Sequence, residues 1–352
     1  NDYSLCDNMK IAILSVSKKG YDLSLKIKNE LDNDSTVIKC DIYHKDVKNT
    51  FNLLFFEYDA IIAIMASGIL IRSISHLIES KTIDPAVLNI DDNGNFVISM
   101  LSGHLGGANQ LTYKIAELID SVPVVTTSTD VNKKLGIDVL ARDLYLSIDN
   151  TKEILYFNKS ILEGKKVSFT VNSSGNYDYL FEYFSNNTLE IDVSIYFSSN
   201  VNDGEIEVEC ENHKIILKPR TIVFGIGCRR GKTCDEIKKA VQIVLNDLNI
   251  NVSRINMFSS AEIKKDEKGI LDLSEELDIP VNFVELDKLK LFRSNDIQKS
   301  EFVMSKCGIP GVCEPSALIT AGYDSELIYK KTAFDGVTIS VALENKKISK
   351  IR

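Results

Sequence analysis

From residue 9 onward, short apolar runs alternate with longer amphipathic stretches, and this alternation constrains the fold more than any other feature. Residues 11–16, 36–43, 60–65, 86–90, 96–101 and 122–126 read as strands. Residues 21–31, 47–58, 69–79 and 108–119 carry apolar side chains at helical spacing. Strand followed by helix, repeated, implies a parallel sheet covered on both faces, so a doubly wound α/β domain is expected over 9–140. Between 141 and 218 the alternation weakens and Asn, Ser and Tyr become frequent, with strands at 193–197, 205–209 and 214–217. A small α+β middle domain is expected there. Pro219 precedes a new strand at 221–226, a helix at 234–246, and strands near 252–258, 281–286, 327–330 and 337–343. A second α/β domain is therefore expected over 219–352, which makes three domains in a chain of 352 residues.

Composition narrows the functional classes. With 41 Lys+Arg against 50 Asp+Glu the net charge is -9, so no global basic field exists to hold a nucleic-acid backbone or an anionic membrane. The longest apolar run, 60–71, is broken by Ser67 and Gly68 and falls far short of the ~20 residues that span a bilayer. Residues 1–8 lack the basic and apolar regions of a secretory signal and are expected to be a poorly structured extension. Seven cysteines, an odd number scattered along the chain, suit a reducing cytoplasm better than a disulfide framework.

The densest chemical segment is Leu101-Ser102-Gly103-His104-Leu105-Gly106-Gly107-Ala108-Asn109, between a strand and a helix. Its three glycines allow backbone amides to approach an anion at the helix start, and His104 places a proton carrier in the same turn. A plain tight turn with a surface histidine is the competing reading. Ser67 and Gly68 form a second such turn, with Arg72 placed to meet a carboxylate held over them. Lys81 and Asp84 follow in Lys-Thr-Ile-Asp-Pro, where Asp84 suits a turn as well as an acid or base. Thr126-Thr127-Ser128-Thr129-Asp130 ends a strand with hydroxyls that either cap a helix or bind ligand carboxylates.

In the last domain, Gly225-Ile226-Gly227-Cys228-Arg229-Arg230-Gly231-Lys232-Thr233 imitates two phosphate loops and satisfies neither. Three residues separate Gly227 from Gly231 where the Walker loop needs four, and Arg230 stands where the dinucleotide fingerprint needs glycine. ATP hydrolysis and NAD binding are excluded as first choices. An anion cradle with Arg229, Arg230 and Lys232 remains, followed by a capping box of Thr233 and Glu236. Cys228 would have its pKa lowered by that loop, although no histidine nearby in sequence marks it as a nucleophile. The pairs Cys228/Cys234 and Cys307/Cys313 match no common zinc or iron–sulfur spacing, so no protein-bound metal is expected. Glu314, in Gly308-Ile309-Pro310-Gly311-Val312-Cys313-Glu314, favours the dipole of the helix it opens, or acts as an acid or base. His44, His76 and His213 stand in ordinary contexts.

Six blocks in order resemble one family, the cobalamin biosynthesis protein G family of cobalt-precorrin-5A hydrolases from the anaerobic corrin pathway. They are 64–72, 81–87, 101–109, 126–130, 225–231 and 308–314, lying in the first and last domains. The resemblance implies opening of a δ-lactone on cobalt-precorrin-5A and loss of the C20 two-carbon unit as acetaldehyde, giving cobalt-precorrin-5B. It supplies the reaction rather than the catalytic residues. With the turns above, it suggests His104 as general base, Asp84, Asp130 and Glu314 as proton carriers, and amides of Gly103, Gly106 and Gly107 at the oxyanion. Ser67, Gly68, Arg72, Lys81, Ser102, Asn109, Thr127, Gly227, Cys228, Arg229, Arg230 and Lys232 would then bind a macrocycle rich in carboxylates. Cobalt belongs to the substrate, no other cofactor is implied, and neighbouring corrin-pathway enzymes are the expected partners. The competing class is a non-catalytic tetrapyrrole carrier.

Overall fold

The computed structural model describes residues 9–80, 83–103, 106–126, 135–186, 193–294 and 311–345, with the single positions 297, 304, 308 and 309. Contact density divides the chain into two units, 1–131 and 132–352.

The first unit is one sheet with helices on both faces. Its elements are β1 (Met9–Ser15), α1 (Lys18–Asp32), β2 (Val37–His44), α2 (Val47–Leu54), β3 (Ala60–Ile64), α3 (Ser67–Ile74), β4 (Ala86–Ile90), β5 (Phe96–Leu101), α4 (Ala108–Ile119) and β6 (Val122–Val124). The strand order is β2-β1-β3-β4-β5-β6. Along β1 the side chains alternate between two cores. Ile11 and Ile13 pack with Ile27 and Leu31 of α1 and with Leu111 and Ile115 of α4. Ala12 and Leu14 pack on the other face with Phe51 and Leu54 of α2 and Leu70 and Ile74 of α3. Both faces are thus covered, which is why β1, β3 and β4 read as near-continuous apolar runs.

One expectation fails here. The sheet is mixed, because β4 and β5 pair antiparallel, whereas β5 and β6 pair parallel. Residues 91–95 are too few for a crossover and close a hairpin instead. The Asp91 carboxylate accepts the amides of Asn93, Asn95 and Phe96, and Gly94 takes a positive φ of 70°. The Asp-Asp-Asn-Gly sequence carried that turn signal. The consequence is geometric, since the end of β5 lies beside the beginnings of β1, β3 and β4.

The second unit contains two further five-stranded sheets. The first, ordered β7-β11-β10-β8-β9, is built from β7 (Leu146–Asp149), β8 (Val167–Asn172), β9 (Val193–Ser198), β10 (Ile206–Cys210) and β11 (His213–Pro219). Its helices are α5 (Ile137–Asp143), α6 (Ile154–Leu162) and α7 (Asp178–Asn186). Leu135, Ile137 and Leu140 pack into this core, so the expected boundary at 140 falls inside α5. β8 was legible in the alternation of Val167, Phe169 and Val171, which face inward, with polar residues, yet was not anticipated.

The last sheet is ordered β14-β13-β12-β16-β15, from β12 (Ile222–Cys228), β13 (Met257–Ala261), β14 (Val281–Val284), β15 (Glu326–Phe334) and β16 (Val337–Leu343). Helices α8 (Cys234–Asp247) and α9 (Lys268–Leu277) share one core with it, α10 (Leu286–Leu291) follows β14, and α11 (Cys313–Ala321) lies against β12, β13 and β16. The strand expected at 252–258 is a short 3-10 turn, Val252–Arg254, followed by β13. The last residue of the strand expected at 281–286, Leu286, instead begins α10. The Arg254 guanidinium joins this sheet to the preceding one: buried, it donates to the carbonyls of Leu144, Tyr145 and Arg220 and to Asn256 Oδ1.

Candidate functional site

The sheet of the first unit separates the expected site residues into two groups at opposite edges. Asp84 precedes β4, and the Ser102–Asn109 segment follows β5, so both lie where β1, β3 and β4 begin. Contacts fix this placement. A Cβ on Gly107 would lie 2.7 Å from Met9 Cε, and one on Gly106 would lie 3.4 Å from the Ala86 amide nitrogen. Ser102 Oγ donates to the Asp84 carbonyl at 3.0 Å. Ser67, Gly68 and Arg72 instead follow the end of β3. Five residues of strand are about 16 Å long, and helices cover both faces between the two edges. A single reaction centre therefore does not touch both groups.

At the amino edge, glycine is required at the turn. A Cβ on Gly103 would sit 2.7 Å from Asn109 Oδ1, one on Gly106 2.5 Å from Ser102 Cβ, and Gly107 has a φ of 79°. Ala108 N donates to the Ser102 carbonyl and Asn109 N to the Gly103 carbonyl, closing the turn into the first turn of α4. Asn109 is 1% exposed and accepts from Ser99 Oγ, while the Ser102 hydroxyl is spent on Asp84. These two side chains help to build the turn.

Asp84 is the unusual group at this edge. It is 5% exposed, and one carboxylate oxygen accepts the Glu79 amide at 3.0 Å. Its other oxygen, Oδ2, is shut from water with no hydrogen-bond partner among the described residues. An orphaned buried acceptor costs ~1–3 kcal/mol. Lys81, His104, Thr127 and Asp130 lie outside the described residues.

At the opposite edge, Asn89 is buried and holds the turn after β3. Its amide donates to the carbonyls of Ala63 and Met65, and its oxygen accepts from Ser67 Oγ at 2.5 Å. The Ser67 hydroxyl proton is thereby committed. Arg72 lies in the last turn of α3, later than expected, yet its guanidinium folds back to 3.3 Å from where a Gly68 Cβ would stand.

In the last domain the expected anion cradle is already filled. Glu267, 5% exposed, accepts from Gly231 N at 3.2 Å and pairs with Lys264 and Arg230. Arg230 also pairs with Asp266 at 3.0 Å, and Lys232 with Glu236 at 2.8 Å. Arg229 alone of the three cations has no acidic partner among the described residues. Gly227 belongs to β12, buried with its carbonyl accepting from Thr338 Oγ1, and does not line a loop. Burial raises the Cys228 thiol pKa, against the expected lowering, because desolvation outweighs the nearby Lys264, Arg230 and Lys232.

Two sequence blocks do converge here. A Cβ on Gly225 would lie 2.1 Å from the Cys313 carbonyl oxygen, and one on Gly227 would lie 3.6 Å from Val312 Cβ. The start of α11 thus presses onto β12. Glu314, 1% exposed, accepts the Lys331 amide at 2.8 Å, where β15 slips register between Tyr329 and Thr332. The carboxylate caps an amide at the irregular stretch of β15.

Comparison with known proteins follows the same divisions. Residues 49–130 match the family described as Cobalamin synthesis G N-terminal, and residues 222–342 match Cobalamin synthesis G C-terminus. A Methanocaldococcus jannaschii protein named "Probable cobalt-precorrin-5A hydrolase" is 33% identical over 96% of this chain and 100% of its own. The cobalt-precorrin-5A hydrolase of Priestia megaterium is 30% identical over 82% of this chain and 80% of its own. The crystal structure of a cobalamin biosynthesis protein G homolog from Sulfolobus solfataricus covers 97% of this chain and 100% of its own, with 25% identity and a TM-score of 0.59. By family matches, full-length relatives and fold together, the chain belongs to the cobalamin synthesis G family.

Proposed function

We propose that this protein is a cobalt-precorrin-5A hydrolase acting in the cytoplasm. The reading is carried by relatives of that name, one matched over 96% of this chain and 100% of its own and another over 82% and 80%. The glycine turn at the amino edge, with buried Asp84 beside it, supplies the local chemistry. Water adds to the lactone carbonyl as His104 takes its proton, and amides of the turn through Gly103, Gly106 and Gly107 stabilise the oxyanion. Collapse of the adduct breaks the acyl C–O bond and leaves a carboxylate and a C20 alcohol. Loss of the alcohol proton, for which Asp84 and Asp130 are the candidate acceptors, then drives C–C cleavage. The electron pair passes into the conjugated imines of the ring and the substrate's own cobalt, releasing acetaldehyde and cobalt-precorrin-5B. A neighbouring corrin-pathway enzyme would receive the product.

Anaerobic incubation with cobalt-precorrin-5A in ¹⁸O-water tests this. Label should enter the new corrinoid carboxylate, and His104→Ala should bind substrate without turning it over. Tight binding with no mass change in the native protein would indicate a carrier instead.

A further inference from the structure

The carboxyl edge of the first sheet carries features that the reaction at the glycine turn does not use. Strands β1 and β3 are parallel neighbours, Ser15 opposite Ile64. β1 leads into α1 on one face of the sheet, whereas β3 leads into α3 on the other. The two connections diverge and leave a crevice between them, the position where open α/β sheets take ligands. Lys18 opens α1 on one side, exposed, with no acidic partner among the described residues. Arg72 lies across the turn on the other side, also exposed and without an acidic partner there, its guanidinium against Gly68. The Asn89 hydrogen bonds fix the shape of that turn. Tyr21 and Ile69, 37% and 38% exposed, add apolar surface from the first turns of the same two helices.

The loop at Arg229–Thr233 differs in its charge pairing. There Arg230 and Lys232 are neutralised by the protein's own Asp266, Glu267 and Glu236. At the carboxyl edge Lys18 and Arg72 have no such acidic partner among the described residues, in a chain of net charge -9. Unpaired cations flanking apolar surface suit a flat apolar ligand with carboxylates on its rim.

We infer that this crevice is a second binding site, separate from the glycine turn, for a polycarboxylate macrocycle gripped by Arg72 and Lys18. On the function proposed above, the ligand is a corrin-pathway tetrapyrrole, and because the covered sheet stands between the edges it is a different molecule from the one reacting at the amino edge.

Uroporphyrin, an octacarboxylic porphyrin, serves as the probe in a fluorescence-quenching titration of the full chain. Arg72→Gln and Lys18→Gln should each weaken binding roughly tenfold, the loss of one charge-assisted contact, and flatten its salt dependence. Lys26→Gln, the same charge change farther along α1, should leave binding within twofold of native. Circular dichroism confirms that each variant is folded. Binding unaffected by Arg72→Gln, equal weakening by Lys26→Gln, or no uroporphyrin binding by the native chain would each overturn the site. Turnover of cobalt-precorrin-5A is measured separately, so failure of hydrolysis with Arg72-dependent porphyrin binding would sink the proposed reaction and leave this site standing.

Discussion

Replacing Gly225 with alanine tests how closely α11 approaches β12. The added methyl carbon would lie 2.1 Å from the Cys313 carbonyl oxygen, 2.8 Å from its carbon and 2.9 Å from Ala317 Cβ. An ordinary C···O contact is about 3.3 Å, so helix and strand must separate by about 1.2 Å. The two nearest atoms are backbone and the third is an alanine Cβ, so no rotamer change relieves the clash. Overpacking costs ~1–3 kcal/mol, and the upper end applies here. For a unit of this size ~3 kcal/mol lowers Tm by ~6–12 °C. Scanning calorimetry on the full chain should show a transition moved by that amount. Gly204→Ala, where a Cβ meets nothing within 4 Å but φ is 77°, should cost only the ~1–2 kcal/mol of left-handed backbone strain. A Gly225→Ala protein as stable as the native one would refute the close approach, and with it the placement of Val312 beside Gly227.

Other consequences follow from the same geometry. Arg254→Met removes the guanidinium's bonds to the carbonyls of Leu144, Tyr145 and Arg220, of which, among the described residues, only Tyr145 keeps another donor, the Arg220 amide; although it also removes a charge whose pKa burial pulls down to about 10, it should destabilise by ~2–4 kcal/mol in denaturant melts, and a neutral result would contradict that tie. The Glu236 carboxyl is held down at about 2 by Lys232 first and then by the Thr233 amide and hydroxyl, so its capping contribution persists above the ordinary carboxylate pKa and fades as pH falls through about 2; a carboxyl shift titrating near 4.3 in NMR would disagree. The thiols of Cys313 and Cys234 are pushed up to about 11, by burial first and then by Glu314 and Glu276 respectively, so iodoacetamide at pH 8 should modify both slowly, and rapid labelling would show them unshielded. Glu314→Gln should lower stability by ~1–2 kcal/mol while leaving kcat nearly unchanged; abolished turnover in a folded variant would instead support a role as acid or base.

The alternation of strands and helices in the first unit was legible because each buried strand is a continuous apolar run and each helix has one apolar stripe. Helix α4 and strands β4, β5 and β16 fall where the pattern placed them. The direction of β5 was not read, although a five-residue connection containing Asn93-Gly94 forbids a crossover. That slip matters most for function, because it set Ser102–Asn109 and Ser67–Arg72 at one edge when the sheet divides them. In the last domain the basic run was visible, but its neutralisation by Asp266 and Glu267 was not, since those acids arrive from the turn after β13, more than thirty residues on. Asn89, Lys18 and the orphaned Asp84 oxygen had no sequence signal; burial and hydrogen-bond satisfaction exist only once the chain is folded.

Acetaldehyde released per corrinoid consumed is the quantity to measure, using the purified protein alone with cobalt-precorrin-5A under anaerobic conditions. One acetaldehyde for each substrate molecule, in step with the mass change to cobalt-precorrin-5B, is the expected result. Complete binding of the substrate with no acetaldehyde and an unchanged mass would contradict it.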